Sequence, residues 1–253
     1  MSLKNFTKYL FYKIYSKRLG YLYQKFRNIF KTQPAEIIVD HPLAARILVL
    51  APHCDDETIG CGGAIYKHSS AGGYVEVVFM TRDTSNAIEE TRMKEAKAAA
   101  KVLGIKKCTF LKNKDGALSS NVQTKNDLLT VLESVNPQIV YLPFFFDNHP
   151  DHIETVKIFS LVCKNYSGKF SCYCYEVWTP LIPNKLVDIS QVIEKKIEAL
   201  QAYKSQLTEN NLVEKIRGLN RYRSMPAFPR VEYMEAFYAC SETDLIKIVK
   251  NIL

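Results

Sequence analysis

The chain has 253 residues, 47% hydrophobic and 24% charged, the balance of an ordinary globular protein with enough length for a sizeable core. No apolar run approaches the roughly 20 residues of a membrane span and no apolar signal core opens the sequence, so we expect neither an integral membrane protein nor an exported one. Seven cysteines, an odd number in a chain of this length, do not read as a disulfide framework, and a reducing, cytoplasmic setting is expected.

The net charge of +8 is unevenly placed. Lys4, Lys8, Lys13, Lys17, Arg18, Lys25, Arg27 and Lys31 all precede the first acid, Glu36, and beyond that point 26 bases balance 26 acids. Residues 1–35 are also aromatic, with Phe6, Tyr9, Phe11, Tyr12 and Tyr15 in the first half. We read them as a basic helical extension ahead of a single domain over 36–253. Such a segment suits an anionic membrane surface, which gives a cytoplasmic protein peripheral at the membrane. On a helical wheel, however, the cations scatter and Gly20 interrupts the pattern. The alternative is an element that packs on its own domain or on another subunit. Nucleic acid is not expected as a partner, and the oligomeric state is open.

From residue 45 the chain alternates. A buried strand over 45–52 leads into a helix over 58–73 closed by glycines. Strand 74–81, helix 89–104, strand 108–112, helix 121–137 ending at Pro137, strand 138–145, helix 152–166 and strand 170–178 follow. This order predicts an α/β, Rossmann-like fold, a mostly parallel sheet with helices on both faces. Beyond Trp178 the pattern weakens. We expect a helix over 187–207, an Arg- and Pro-rich loop over 219–230 and a late strand over 231–240.

Two stretches carry chemistry. "HCDDE" (53–57) follows the first strand of the alternation, and "FDNHPDH" (146–152) follows the fourth. Ligands in such sheets sit beyond the carboxyl ends of the strands. His53 and Asp56 are three apart, as are His149 and His152. Hydrolytic zinc sites take three ligands from His, Asp and Glu and leave a place for water. The two halves together can supply three ligands and leave an acid and an imidazole for catalysis. The bland reading is that Asp55, Asp56 or Glu57 caps the next helix. It accounts for one acid but not for three histidines gathered beside several.

"PHCDDE" resembles the "AHPDDE" signature of the PIG-L/LmbE-like zinc N-deacetylases, and "DNHPDH" resembles their second signature, "HxxH". "TRMKEAKAAAKVLG" and "KIEALQAYKSQ" add support, and the likeness runs from about residue 45 to 240. The resemblance implies zinc held by His53, Asp56 and His152, Asp55 as general base, and His149 as a charged partner of the developing oxyanion. It implies removal of acetyl from an N-acetylglucosamine-type sugar conjugate. Within that scheme Asp151 orients a histidine from behind. Arg92 is either a sugar contact or a helix-surface salt bridge. Cys54 stands where the family usually has proline, either as a small buried filler or as a thiol near the metal. Cys172 and Cys174, alternate on one strand, read as core. Two rivals remain: another metal-dependent amidase or phosphoesterase, and a catalytically silent sugar-binding module. "GCGG" (60–63) lacks dinucleotide-binding spacing.

Overall fold

Strand β2 (Arg46–Ala51) shows how the sheet is built. Ile47, Val49 and Ala51 face one side and Leu48 and Leu50 the other, and all five are fully buried. Such two-sided burial needs a helix layer on each face. The structure is a computed structural model, and it describes residues 36–38 (backbone only), 45–83, 85–207, 211–227 and 231–253. The expected extension over 1–35 lies outside these residues.

Around β2 the strands are β1 (Glu36–Ile38), β3 (Tyr74–Arg82), β4 (Lys107–Lys114), β5 (Ile139–Pro143), β6 (Ser171–Tyr175), β7 (Lys185–Asp188) and β8 (Met234–Ser241). They form one sheet in the order β1-β7-β8-β6-β5-β2-β3-β4, parallel throughout except at β8, which runs antiparallel to both β6 and β7. The helices are α1 (Asp56–Ser70), α2 (Asn86–Leu103), α3 (Val122–Val135), α4 (Pro150–Cys163), α5 (Ile193–Leu200), α6 (Leu212–Arg223) and α7 (Glu242–Ile252). α1, α2 and α5 pack together in one layer, and α3, α4 and α7 in the other. The α/β, mostly parallel architecture expected from the alternation is therefore present. β2 pairs β3 on one side and β5 on the other. The strand order reverses there, and the loops leaving β2 and β5 open a crevice between them.

Helix α1 is not continuous. Cys61 has φ −145° and ψ 21°, a break that frees backbone N–H groups from the helical ladder. Those of Gly63 and Ala64 donate instead to the Glu235 carboxylate of β8, at 2.8 Å each. Lys196 of α5 donates to the same carboxylate at 2.7 Å, and both side chains are fully buried. Glu235 thus caps the second half of α1 while Lys196 neutralises it. The glycines allow this approach. A Cβ at Gly63 would lie 2.6 Å from Ile189, and one at Gly60 would lie 2.2 Å from the Tyr175 ring.

Beyond Trp178 the sequence-based expectations need correction. The single helix over 187–207 is the end of a short strand, β7, then α5, then a 3-10 turn over Lys204–Gln206. The amphipathic period of α5 is strong, and it drew the flanking residues into one reading. The loop expected over 219–230 begins as the last residues of α6, 219–223, where Gly218 and Asn220 weaken the helical signal. A further helix, α7, follows the late strand, and the Ser241 side chain caps it by accepting the Asp244 N–H. Cys172 and Cys174 are fully buried in the core, as read. No helix among the described residues is long and apolar enough to cross a membrane.

Removing one member of a buried ion pair leaves the other charge uncompensated. Glu235→Ala should therefore lower unfolding stability by about 3–5 kcal/mol. Urea denaturation of wild type and variant checks it, and a loss within experimental error would show that the clamp carries no stability.

Candidate functional site

The carboxyl ends of β2 and β5 bring the two sequence stretches together. After β2, the chain turns into α1 at Asp55, which has φ 120°, a conformation costly for any side-chain-bearing residue. This turn buries Asp55, Asp56 and Glu57 side by side at the start of the helix. After β5, the loop runs to His149, which precedes Pro150 and caps α4: its Nδ1 accepts the Asp151 N–H at 3.2 Å.

Three side-chain atoms form a tight triangle. Asp56 Oδ2 lies 3.1 Å from His53 Nδ1 and 3.2 Å from His152 Nε2, and the two nitrogens are 3.4 Å apart. Donors about 2.1 Å from a tetrahedral ion stand about 3.4 Å from each other, so this donor set fits one divalent cation. The His149 ring lies 4.6 Å from that of His53 and 5.0 Å from that of His152, which places it beside the triangle.

The outer face of each histidine meets a carboxylate. His53 Nε2 is 3.1 Å from Asp151 Oδ2 and 3.3 Å from Asp115 Oδ1. Asp151 is itself fixed by the backbone N–H groups of Gly116 and Leu118, at 2.7 and 3.0 Å. His152 Nδ1 faces Asp147 Oδ2 at 3.3 Å, close enough for charge attraction but out of line for a hydrogen bond. Such outer partners fix tautomer and ring orientation at metal sites. Arg92 reaches from α2 to Asp115 at 3.1 Å and Asp83 at 3.4 Å, which ties it to His53 through a shared carboxylate.

The electrostatics follow from burial and crowding. Burial, then the charges of Asp56 and Glu57, hold the Asp55 carboxyl well above the usual range. Burial opposes the charge on Asp56, but the adjoining His152 and His53 override it and hold that carboxyl well below the usual range. Burial likewise opposes charge on His53, yet its hydrogen bonds to Asp115 and Asp56 push it up to about 11. For His152, burial is outweighed by Asp56 and Asp147, and the value is raised to about 9. His149 moves the other way, lowered by burial and by the neighbouring charges of His53 and His152. Burial, with Glu57 and Asp55, pushes the Cys54 thiol up; it stays protonated and packs in the core, which favours the filler reading.

Several supporting residues gave no sequence signal. Asp115 lies in the turn after β4, and only its Asp-Gly pair marked that turn. Asp147 stands inside the quoted stretch but has no metal-ligand spacing. Glu57 accepts from Thr58 and Tyr203 hydroxyls at 2.6 and 2.5 Å, and Gln206 donates to the Cys54 carbonyl; both distant partners lie about 150 residues away in sequence.

In metal-free protein, a histidine raised above its unfolded value stabilises the fold fully below pH 6.5. That stability is lost as the pH climbs through about 9 for His152 and about 11 for His53. Urea midpoints of chelator-treated protein should fall from pH 6.5 to 9.5, and His152→Gln should shallow the fall. A flat profile in wild type would mean that these imidazoles are neutral.

The comparisons with known proteins agree with this geometry. The family profile described as GlcNAc-PI de-N-acetylase (PIG-L) matches residues 48–163, which contain both stretches. The diacetylchitobiose deacetylase of Thermococcus kodakarensis is 30% identical over 192 residues, covering 65% of this chain and 71% of its own. Among solved structures, a conserved protein from Thermus thermophilus superposes with a TM-score of 0.69 at 28% identity, over 76% of this chain and 93% of that one. The N,N'-diacetylchitobiose deacetylase of Pyrococcus horikoshii, crystallised with an inhibitor, gives 0.68 at 26% identity, over 79% and 85%. By sequence and by fold, the chain belongs to the PIG-L family of de-N-acetylases.

Proposed function

We propose that this protein is a metal-dependent hydrolase that removes the N-acetyl group from an N-acetylglucosamine-type sugar conjugate, releasing acetate and a free amine. The observation that carries this reading is the triangle of His53 Nδ1, Asp56 Oδ2 and His152 Nε2, with sides of 3.1, 3.2 and 3.4 Å, set beside the buried carboxyl of Asp55. The relatives named for de-N-acetylation supply the acyl group and the sugar.

His53, Asp56 and His152 are the residues that would hold the ion, and zinc suits two imidazoles and a carboxylate. Such an ion, when bound, acidifies a water and polarises an amide carbonyl. The remaining steps belong to the chain. Asp55, kept basic by burial and by two neighbouring carboxylates, takes the proton of the attacking water. It then returns a proton to the nitrogen as the C–N bond breaks. His149 accepts the Asp151 N–H through Nδ1, so Nε2 carries its proton. That N–H donates to the oxyanion that forms on the acetyl carbon. Asp151 and Asp115 orient His53, and Arg92, paired with Asp115 and Asp83, takes the role of a sugar contact. The basic segment over 1–35 is proposed as the contact with an anionic membrane surface.

An acetate-release assay over N-acetylglucosaminyl lipids, nucleotide sugars and oligosaccharides tests the reading. Asp55→Asn should keep its metal and lose about 10²–10⁴-fold in turnover, the range for a general base. Asp56→Asn and His152→Ala should lose metal by elemental analysis. Equal metal content in wild type and His152→Ala, or near-full turnover in Asp55→Asn, would overturn the corresponding role. For the basic segment, co-sedimentation with anionic vesicles should occur at low salt and fade at high salt, and it should be lost when residues 1–35 are removed.

A further inference from the structure

Tryptophan occurs once in this chain, at Trp178, and it is 66% exposed. It sits just past the carboxyl end of β6, the strand beside β5, on the edge of the sheet where the site lies. Its backbone N–H donates to Asp147 Oδ2 at 3.2 Å. The same oxygen lies 3.3 Å from His152 Nδ1, so one carboxylate joins the backbone of Trp178 to a proposed ligand. Asp147 Oδ1 accepts the His149 N–H at 3.2 Å, which ties the indole-bearing loop to the proposed oxyanion donor as well.

The loop is braced. Glu176 is buried and accepts from Arg223 Nε and Nη2 at 2.9 and 2.5 Å and from Leu181 N at 2.9 Å. Arg223 Nη2 also donates to the Leu181 carbonyl at 2.9 Å. Phe144 N donates to Tyr175 O at 2.8 Å, which joins the start of this loop to the start of the histidine loop. An exposed indole on a fixed support binds without the entropy of ordering it. Its flat apolar face with a polar N–H matches the face of a pyranose, where C–H groups lie on one side and hydroxyls ring the edge.

We propose that Trp178 is a specificity-determining residue: a stacking platform for a second pyranose, attached to the sugar whose acetamide is cleaved. The substrate would then be an oligosaccharide rather than a single N-acetylated sugar. This rests on the deacetylase reading above. Two other occupants suit an exposed indole, an apolar aglycone and a membrane surface, and Ile182, Tyr222 and Met225 are also exposed. The brace of Glu176 and Arg223, and the single carboxylate between Trp178 and His152, favour a substrate contact of fixed geometry.

The test uses full-length, metal-loaded protein and two readouts. Acetate release is measured with N-acetylglucosamine, octyl N-acetylglucosaminide and N,N'-diacetylchitobiose. Emission of the single tryptophan is measured with the deacetylated disaccharide, with glucosamine and with anionic vesicles. Trp178→Ala should raise KM for the disaccharide about tenfold more than for the monosaccharide, the scale of one aromatic stacking contact. Trp178→Phe should restore part of the difference. The disaccharide should shift the emission at concentrations where glucosamine does not. Equal losses on all substrates would overturn the proposal and make the loop a mere support of His152. A larger loss on the octyl glycoside would replace the pyranose by an apolar aglycone. Emission that moves with vesicles but not with the disaccharide would make the surface a membrane contact. If no acetate is released from any sugar yet the disaccharide shifts the emission, the deacetylase reading fails and the platform stands; turnover with no shift gives the reverse.

Discussion

The structure is organised around an excess of buried negative charge. Asp55, Asp56, Glu57, Asp147 and Asp151 all lie out of water at the ends of two adjacent strands. Carboxylates in such a place must be paired, hydrogen-bonded or protonated, or else hold a cation. Each solution is present here. Asp151 takes two backbone N–H groups, Glu57 takes two hydroxyls, Asp56 lies between two imidazoles, and Asp55 is pushed towards its neutral form. What remains is a donor set with the spacing of a divalent ion. The positive φ at Asp55 belongs to the same arrangement, because it is the turn by which the chain enters α1 among these acids.

The chemistry was legible where it depends on spacing along the chain, and obscure where it depends on folding. His53 and Asp56 share a turn, as do His149 and His152, and a strand before each pair announces where it lies. The family resemblance added roles to those positions. Asp115 offered nothing beyond an Asp-Gly turn, because its partners His53 and Arg92 come from other elements. Tyr203 and Glu235 fall in the stretches expected as a helix over 187–207 and a late strand over 231–240, and nothing local marks their partners. Only the fold shows that Tyr203 meets Glu57 at the start of α1 and that Glu235 meets its second half.

The same division holds for the architecture. β2 and β5 announce themselves because burial on both faces makes them nearly continuous apolar runs, and β3 and β6 do so as mostly apolar ones. β7 is four residues long and adjoins the amphipathic pattern of α5, so local periodicity favours helix over both. The antiparallel insertion of β8 between β6 and β7 is a matter of long-range pairing, and no local pattern encodes it. His149 shows the limit for function. Its identity was readable, but the downward shift of its pKa comes from burial and then from His53 and His152, which reach it only in the folded chain.

The clamp of Glu235 on Gly63 and Ala64 joins residues 172 and 171 positions apart. Contacts of that range close late in folding, since the loop they bridge must first be ordered. A chain emerging from the ribosome has the whole of its metal-binding sequence made long before the strand that clamps α1 exists. The clamped form of α1 is therefore finished only after β8 has been made. Maturation of the helix that carries Asp56 becomes a property of a strand made 172 positions after Gly63.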